Sequence, residues 1–450
     1  MRKKIGWIVI AVLLVVGLTG YALTRPQPPD TRYSGAYVMD DGCFVFISPG
    51  DDQALRYHTM QGEGGELWPS ADGQYEGGKG WAQREPVINR VRFEMTADGH
   101  PAGLSWEQAG APRRHATAMK FSEKIFTFRS GDLTMRGKLV MPTGTGPFGV
   151  VVMVHGSEAY SAVDYYYEPY MYAANGFAAV AFDKRGTGGS EGEYLQNFSV
   201  LADDVRAAVQ WVRAQPQIDP QQVHLAGFSQ GGWIAPLAAF RDGGIRSLLI
   251  GYGPMVPVTS EDRWGYVYAL REKGFGEDAI AKADRINDVI SDVMDHGHNR
   301  WSEIGEMLDA ARNEPWFAAV KGSDSELGLI SAAKMPLWAV RLDAWWKYGR
   351  QKIAFIDRLY NPVPTVAALS TPSLWFFGGQ DSSMPTDWSL TELKKLQSEG
   401  KPIEYIVYPD AEHGIRRFMQ DSSGERHVTG LEPTYPQRQI DWLKEHSGKR

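Results

Sequence analysis

Residues Val223–Gly232 read VHLAGFSQGG, an apolar run followed at once by a Gly-x-Ser-x-Gly-Gly motif. The apolar run predicts a buried strand, and the small residues that follow predict a helix packed close to it. A turn this tight holds its central serine, Ser229, in strained backbone geometry and needs small neighbours two positions away on each side. Both neighbours, Gly227 and Gly231, are glycines. The stretch therefore predicts a nucleophile elbow with Ser229 at its tip.

The same pattern occurs a second time at residues 188–192, which read GGSEG. Its serine, Ser190, belongs to a glycine-rich run after which no helix begins. A short motif is informative only in the right structural context, here a strand before it and a helix after it. We therefore predict that Ser190 is a loop residue and that Ser229 is the nucleophile.

Apolar strands and helical patterns alternate on both sides of the elbow. Strands that are apolar along their whole length belong to parallel sheets covered on both faces. We predict an α/β fold with a mostly parallel sheet over residues 121–450. The predicted strands are Gly149–Val154, Phe177–Phe182, Val223–Phe228, Ser247–Ile250, Ser373–Phe377 and Ile403–Tyr408, and the clearest predicted helices are Leu201–Arg213 and Gln437–His446.

The alternation stops over residues 255–366, which are mostly helical and rich in tryptophan. A segment inserted between two strands of such a sheet leaves and rejoins it at the carboxyl edge, where active sites lie. We predict that it forms a lid and that at least one of its tryptophans lines an apolar substrate pocket. The candidates are Trp264, Trp338, Trp345 and Trp346.

A nucleophilic serine needs a base, and the base needs an acid to orient it. Asp381 follows the predicted strand over residues 373–377, and His413 follows the last strand. This fold places the three residues in the chain order serine, acid, histidine. We predict that His413 is the base and Asp381 the orienting acid, with Asp410 as the rival acid and a turn-capping role as the alternative for Asp381.

An oxyanion hole needs two backbone N–H groups that point at the developing charge. We expect one from Gln230, the residue after the nucleophile, and the other from the HGSE loop at residues 155–158. Within that loop the Ser157 amide is the favoured donor. His155 is predicted to be a hydrogen-bonding loop residue rather than a catalyst.

Four stretches together resemble bacterial α/β-hydrolase esterases, close to the branch with the prolyl-oligopeptidase-like and dienelactone-hydrolase-like enzymes. They are HGS at 155–157, FDKRGTGGS at 182–190, ADDV at 202–205 and the elbow. The resemblance covers about residues 121–450 without the helical stretch. It implies a serine esterase, and a structural role for the segment that begins at Asp183. Phe228 and Gln230 stand where similar esterases often carry His and Glu, a departure expected to affect substrate contacts and not the chemistry.

We expect hydrolysis of carboxylic esters of small molecules, through an acyl-enzyme on Ser229. A Ser-His-Asp triad determines acyl transfer but not the leaving group, so thioesterase and peptidase activities remain open. A prolyl peptidase is disfavoured because about 90 residues before the hydrolase domain cannot form a propeller. The alternative from another class is a binding protein that keeps the hydrolase fold without catalysis.

The first residues indicate export. Basic residues Arg2–Lys4 precede an uncharged, mostly apolar run, Ile5–Thr24. About 20 such residues can span a bilayer, and Gly20–Ala22 is an acceptable cleavage site, so a signal peptide over residues 1–24 and an uncleaved membrane anchor both remain open. The positive-inside rule places the rest of the chain outside the cytoplasm, periplasmic or extracytoplasmic, and either secreted or anchored by residues 5–24.

Residues 25–120 begin with a proline-rich linker and continue in short alternating segments between glycine-rich turns. Such spacing is typical of a small all-β domain, a sandwich or a barrel.

Composition excludes several other classes. The net charge is −7 with no basic stripe beyond the first residues, which argues against a nucleic-acid partner. A single cysteine, Cys43, permits neither an intrachain disulfide nor a thiolate zinc site. His296 and His298 have no third ligand spaced nearby, and no Walker loop or dinucleotide fingerprint occurs. We therefore expect neither a metal nor a cofactor.

Overall fold

The computed structural model describes residues 29–71, 73–81, 83–333, 337–345 and 356–448. The predicted signal or anchor segment, residues 1–24, lies outside these ranges, so export and anchoring stay predictions. In the described part of the chain, no helix is both long enough and apolar enough to cross a bilayer.

The N-terminal part of the described chain is a closed barrel of eight antiparallel strands. Strand β1 pairs with both β2 and β8, which closes the barrel and leaves no free edge. Alternate side chains, among them Tyr37, Ile47, Leu67 and Leu104, fill its interior. The strands are β1 (Gly35–Met39), β2 (Phe44–Pro49), β3 (Leu55–Thr59), β4 (Gly64–Pro69), β5 (Tyr75–Gly77), β6 (Asn89–Met95), β7 (Pro101–Gln108) and β8 (Arg114–Ala118). The predicted all-β module is thus a barrel.

The second sheet has eight strands in the order β16-β15-β14-β13-β11-β12-β10-β9. The strands from β16 to β12 in this order are parallel, whereas β10 is antiparallel to both of its neighbours, so the sheet is mixed but mostly parallel, as predicted. They are β9 (Ser122–Ser130), β10 (Leu133–Met141), β11 (Phe148–Val154), β12 (Ala178–Phe182), β13 (Ile218–Phe228), β14 (Ser247–Gly251), β15 (Ser373–Gly378) and β16 (Ile403–Tyr408).

Helices cover both faces of this sheet. One face packs on α3 (Phe198–Arg213), α4 (Gly231–Asp242), α11 (Val363–Ala368) and α12 (Thr386–Ser398). The other packs on α2 (Glu168–Ala174), which follows the single turn α1 (Ala162–Tyr165), and on α13 (Tyr435–Glu445). That second core also contains Ala36, Phe46 and Met60 of the barrel, so barrel and sheet share buried apolar contacts.

Between β14 and β15 the chain forms a mostly helical segment with a core of its own. Its described helices are α5 (Val258–Glu272), α6 (Glu277–His296), α7 (Trp301–Ala311), α8 (Phe317–Val320), α9 (Glu326–Ala332) and α10 (Leu337–Ala344), followed by α11. The predicted helical insertion is present. Its role as a lid stays a prediction.

A hairpin that the sequence did not predict follows the last strand of the sheet. Its strands are β17 (Arg416–Gln420) and β18 (Arg426–Leu431). The Leu431 amide donates to the Gly62 carbonyl at 2.7 Å, and the Trp81 amide donates to the Val428 carbonyl at 3.2 Å. The hairpin therefore ties the barrel to the loop that carries His413.

The order of the sheet determines where a ligand can bind. From β11 the chain passes to β12 on one side and then crosses to β13 on the other. Loops from the carboxyl ends of β11 and β13 therefore diverge and leave a crevice between them. Ser157 lies in the loop after β11 and Ser229 directly follows β13, so both are placed at this crevice.

Candidate active site

Ser229 occupies a strained turn between β13 and α4. Its φ is 50°, a left-handed value that is unusual for a residue with a side chain. The Ser229 amide donates to the Gly251 carbonyl at 3.0 Å, which fixes the turn against β14. A Cβ at Gly231 would lie 2.1 Å from the carbonyl oxygen of Val154, so only glycine allows α4 to begin this close to β11.

Three residues predicted from the sequence form a hydrogen-bonded series in which His413 lies between the other two. His413 Nε2 lies 3.1 Å from Ser229 Oγ, and His413 Nδ1 lies 2.9 Å from Asp381 Oδ2. Asp381 is 2% exposed, whereas the rival acid Asp410 is exposed. The arrangement allows His413 to accept the serine proton while Asp381 holds the imidazole in one tautomer.

Asp381 also takes the turn-capping role considered as its alternative. Its Oδ1 accepts hydrogen bonds from the amides of Ser383 at 2.8 Å and Met384 at 3.0 Å. The two oxygens therefore have separate roles, since Oδ1 holds the loop and Oδ2 faces His413. The bonds to Oδ1 fix the plane of the carboxylate independently of the histidine.

Tyr252 is a neighbour of the histidine that sequence reasoning missed. Its ring meets the His413 ring edge-on at 4.8 Å and stacks on Phe228 at 5.9 Å. The signal that would have found it is its position directly after β14, at the same sheet edge as Ser229 and Asp381. Tyr252 therefore packs directly against the imidazole ring and limits the space in which that ring can rotate.

The predicted oxyanion-hole residues, Ser157 and Gln230, both flank Ser229 in one cavity. The buried Lys184 ammonium donates to the Gly156 carbonyl, and the Tyr194 hydroxyl donates to the Ser157 carbonyl. In a trans peptide the C=O and N–H point in opposite directions. Because the Gly156 carbonyl points toward Lys184, the N–H of Ser157 in the same peptide points away from Lys184. Among the described residues, no acceptor pairs with the Ser157 or Gln230 amide.

Electrostatics around this loop follow from burial. Burial lowers the pKa of Lys184 to about 8, which leaves the ammonium mostly protonated at neutral pH. Burial, with the Lys184 charge nearby, lowers the pKa of His155 to about 4, so its ring is neutral. His155 Nδ1 lies 3.4 Å from the Gly156 carbonyl oxygen, so its ring contacts the backbone of its own loop.

Ser190, the other serine in a matching motif, is part of a buried loop network. Its hydroxyl donates to the Asp183 carbonyl at 2.7 Å and accepts from the Arg136 amide at 2.9 Å. The Asp183 carboxylate accepts from Ser161 Oγ at 2.7 Å and from the Gly189 amide at 3.0 Å. This segment holds the shape of the loop after β12.

Two cavities open on either side of Ser229, and both are lined by Ser157, Ser229 and His413. The helix-side cavity, about 480 Å³, is completed by residues of the helical segment and by Trp233 and Met384. The barrel-side cavity, about 350 Å³, is completed by Arg56, His58 and Trp81 of the barrel and by Tyr166, Tyr252 and Arg416. An extended substrate can thus pass Ser229 with one part in each cavity.

The prediction that a lid tryptophan lines the pocket is not met at Trp264, Trp338 or Trp345, and it stays a prediction for Trp346. Trp338 and Trp345 are exposed, and Trp264 packs against Trp388 at 5.4 Å. None of these three lines the helix-side cavity, and Trp346 lies outside the described residues. The tryptophan in that wall is Trp233 of α4, and the helical segment contributes carboxylates instead.

Candidate metal ligands lie elsewhere. The rings of His296 and His298 are 6.0 Å apart, and His298 Nδ1 lies 2.7 Å from Asp292. Over the described ranges, one set of potential ligand atoms gathers within 4.8 Å, from Asp421, Glu425 and His427 in the β17–β18 turn. Exposed acidic turns of this kind are common without a metal.

Known proteins resemble parts of this chain. A family model described as serine aminopeptidase, S33, matches residues 145–275. A carboxymethylenebutenolidase-like protein of Yersinia pestis is 31% identical over 193 residues, which cover 40% of this chain and 68% of that protein. One from Escherichia coli K12 is 35% identical over 90 residues, 20% of this chain and about a third (32%) of that relative. An esterase structure from Pyrococcus furiosus has a TM-score of 0.43 at 15% identity and covers 73% of this chain and 94% of that one.

Proposed function

Because the chain belongs to the α/β-hydrolase superfamily of serine esterases, we propose that it hydrolyses carboxylic esters through an acyl-enzyme on Ser229. The observation that carries the proposal is the hydrogen-bonded series from Ser229 to His413 to Asp381, with distances of 3.1 Å and 2.9 Å. Nucleophile, base and orienting acid are the parts that acyl transfer requires.

In the proposed reaction, Ser229 Oγ attacks the ester carbonyl while His413 Nε2 takes its proton. Asp381 stabilises the imidazolium that forms, and the negative oxygen of the tetrahedral intermediate accepts from the Ser157 and Gln230 amides. The imidazolium then gives its proton to the departing alcohol. Water, activated by His413, releases the acid and restores Ser229.

A fluorophosphonate probe tests this proposal against the non-catalytic alternative. We expect stoichiometric labelling on Ser229 and hydrolysis of p-nitrophenyl esters that the label abolishes. A chain that is neither labelled nor active would be a binding protein with a hydrolase fold. The leaving-group class is determined with matched acyl groups presented as an aryl ester, a thioester and an anilide, because the triad alone does not discriminate among them.

Lys184 is proposed as a positioning residue for the oxyanion hole. Lys184→Met removes the donor to the Gly156 carbonyl, so the Ser157 N–H loses its fixed direction. We expect kcat to fall about 10-fold to 100-fold with KM little changed, because the N–H acts on charge present only in the transition state. The measurement is a steady-state comparison with Lys138→Met, which removes another buried lysine outside the site. Equal losses in both variants, or a change in KM alone, would contradict the positioning role.

The barrel is proposed to form part of the substrate site, because Trp81 lines the barrel-side cavity with its ring under the Arg416 guanidinium at 4.8 Å. Trp81→Ala should lower kcat/KM for esters with a bulky acyl or alcohol group about 10-fold relative to an acetate ester, a loss of about 1–3 kcal/mol of contact. Trp68→Ala, a half-buried barrel tryptophan outside that cavity, is the control. If both variants shift the ratio equally, the barrel acts through stability alone.

A further inference from the structure

Serine, carboxylate and amide side chains line the helix-side cavity, and the Glu326 carboxylate among them is paired with Arg358 at 3.6 Å. We call four other residues that offer hydrogen-bond acceptors the acceptor wall: Glu261 and Asp262 from α5, Asp324 from the loop before α9, and Gln230. The acceptor wall faces the same space as Ser229 and His413. A substrate group placed there meets carboxylates and an amide oxygen.

The fold brings the three carboxylates together by close backbone packing. A Cβ at Gly265 would lie 1.8 Å from the Asp324 carbonyl oxygen, so the loop can rest on α5 only because this residue is glycine. Asp262 Oδ1 accepts from the Glu326 amide at 2.7 Å, which fixes the start of α9 beside it. These contacts fix the backbone that carries the acids, with the Asp262 side chain buried, Glu261 half-buried and Asp324 exposed.

Structural roles explain only part of this negative charge. Arg358, 6% exposed, pairs with Asp295 at 2.7 Å, Glu326 at 3.6 Å and Asp262 at 3.9 Å. Over the described residues, neither Glu261 nor Asp324 has an ion pair or a side-chain hydrogen bond. Burial, with the charges of Asp324, Asp262 and Asp381 nearby, raises the pKa of Glu261 to about 8, so this carboxyl is mostly protonated at neutral pH and ionises when a cation lies beside it.

Gln230 provides a second, independent observation. Its side chain is 5% exposed, lines the cavity, and leaves Oε1 buried without a hydrogen-bond partner. Asp262 Oδ2 is buried without a hydrogen bond of good geometry, with the Asn287 side chain nearby and Arg358 3.9 Å away. Buried acceptors without donors are costly, and a ligand carrying N–H groups removes that cost.

The geometry favours an organic cation over a metal ion. A metal requires several ligand atoms around one point, and the set within 4.8 Å of one another found in the described ranges belongs to Asp421, Glu425 and His427, not to the acceptor wall. A cavity of about 480 Å³ instead accommodates an organic group that carries an ammonium.

We propose that the acceptor wall binds an ammonium group of the substrate, so that the preferred esters carry an amine on the part that faces the helical segment. The inference rests on the proposed function and names its substrate class. Of the acceptor wall, Asp324 lies beyond the matched family region, residues 145–275, whereas Gln230, Glu261 and Asp262 lie inside it.

The test uses two matched substrate pairs that differ only in an ammonium and a methyl group. p-Nitrophenyl 6-aminohexanoate against p-nitrophenyl heptanoate places the charge on the acyl side, and 6-aminohexyl butyrate against heptyl butyrate places it on the alcohol side. We expect kcat/KM to favour the ammonium substrate at least 10-fold in one pair, and the preference to fall as salt rises. The pair that responds identifies which side of the ester faces the acceptor wall.

The double variant Glu261→Gln/Asp324→Asn should reduce that preference below about 3-fold, because the amides keep the shape but not the charge. Asp309→Asn is the matched control, since Asp309 is an exposed acid of α7 paired with Arg312 at 2.6 Å, and it should leave the preference unchanged. Thermal unfolding checks that each variant folds. If the double variant does not fold, the single variant Glu261→Gln is used in its place.

Two results would overturn the inference while the proposed function stands. The first is Ser229-dependent hydrolysis of the heptyl and heptanoate esters with no preference in kcat/KM for either ammonium ester. The second is a preference for the ammonium ester that is unchanged in Glu261→Gln/Asp324→Asn. Absence of Ser229-dependent hydrolysis of all four esters would instead overturn the proposed function itself.

Discussion

Ser229→Ala should lower kcat for any ester substrate by about 10⁴-fold or more while the protein remains folded. Nucleophile and base act as a unit, so removal of Oγ leaves His413 with no proton to accept. The remaining catalysis would come from the oxyanion hole and from binding alone. Steady-state rates with p-nitrophenyl esters, together with fluorophosphonate labelling, measure the effect.

Ser190→Ala is the matched control for that result. Ser190 Oγ bonds the Asp183 carbonyl and the Arg136 amide, so its loss should cost stability of about 1 kcal/mol and change kcat little. Thermal unfolding and rates separate the two effects. A Ser190→Ala variant without turnover beside an active Ser229→Ala variant would show that the wrong serine was assigned to the elbow.

The sheet could be predicted because its signal is local. Strands buried on both faces must be apolar at nearly every position, and helices between them must be apolar on one face, so each element is visible in its own sequence. The last strand, Ile403–Tyr408, has the bounds that the sequence predicted. The triad candidates followed from the same strands, since their carboxyl ends lie at one edge of the sheet.

The β17–β18 hairpin could not be predicted in this way. Its residues are mixed and largely polar, and apart from Gly430 and Leu431 they are half-buried or exposed. The hairpin contacts the barrel through Gly62 and Trp81, more than 300 positions earlier in the chain, and no local pattern reveals such a contact. The barrel-side cavity was missed for the same reason, because Trp81 and Arg416 meet only in the folded protein.

The tryptophans of the helical segment show a second limit of prediction from sequence. Trp316 is 4% exposed and Trp264 packs between helices, so these side chains contribute to packing within and beside the segment. The sequence indicates that a large aromatic residue tends to be buried, but not against which neighbour. As a result, α5 directs Glu261 and Asp262, rather than Trp264, toward the cavity.

Asp381→Asn should lower kcat by about 10⁴-fold, the loss expected when the base is held in the wrong tautomer. The carboxylate Oδ2 accepts from His413 Nδ1 at 2.9 Å, which leaves Nε2 free to accept the Ser229 proton. An asparagine that donates from its NH₂ group to Nδ1 favours the other tautomer, in which Nε2 carries the proton and cannot accept one from Ser229. The Oδ1 that accepts from Ser383 and Met384 is retained, so the melting temperature should change little.

Two further variants make that interpretation specific. Asp381→Ala removes both functions and should additionally cost about 1–2 kcal/mol of stability, as loss of a side-chain cap does. Asp410→Asn should leave kcat unchanged, because Asp410 is exposed and makes no bond to His413 among the described contacts. Rates at saturating substrate and thermal unfolding of all three variants are the measurements. If Asp410→Asn lost activity and Asp381→Asn kept it, the orienting acid would belong to the loop of His413 itself, and the carboxylate after β15 would serve only to hold its turn.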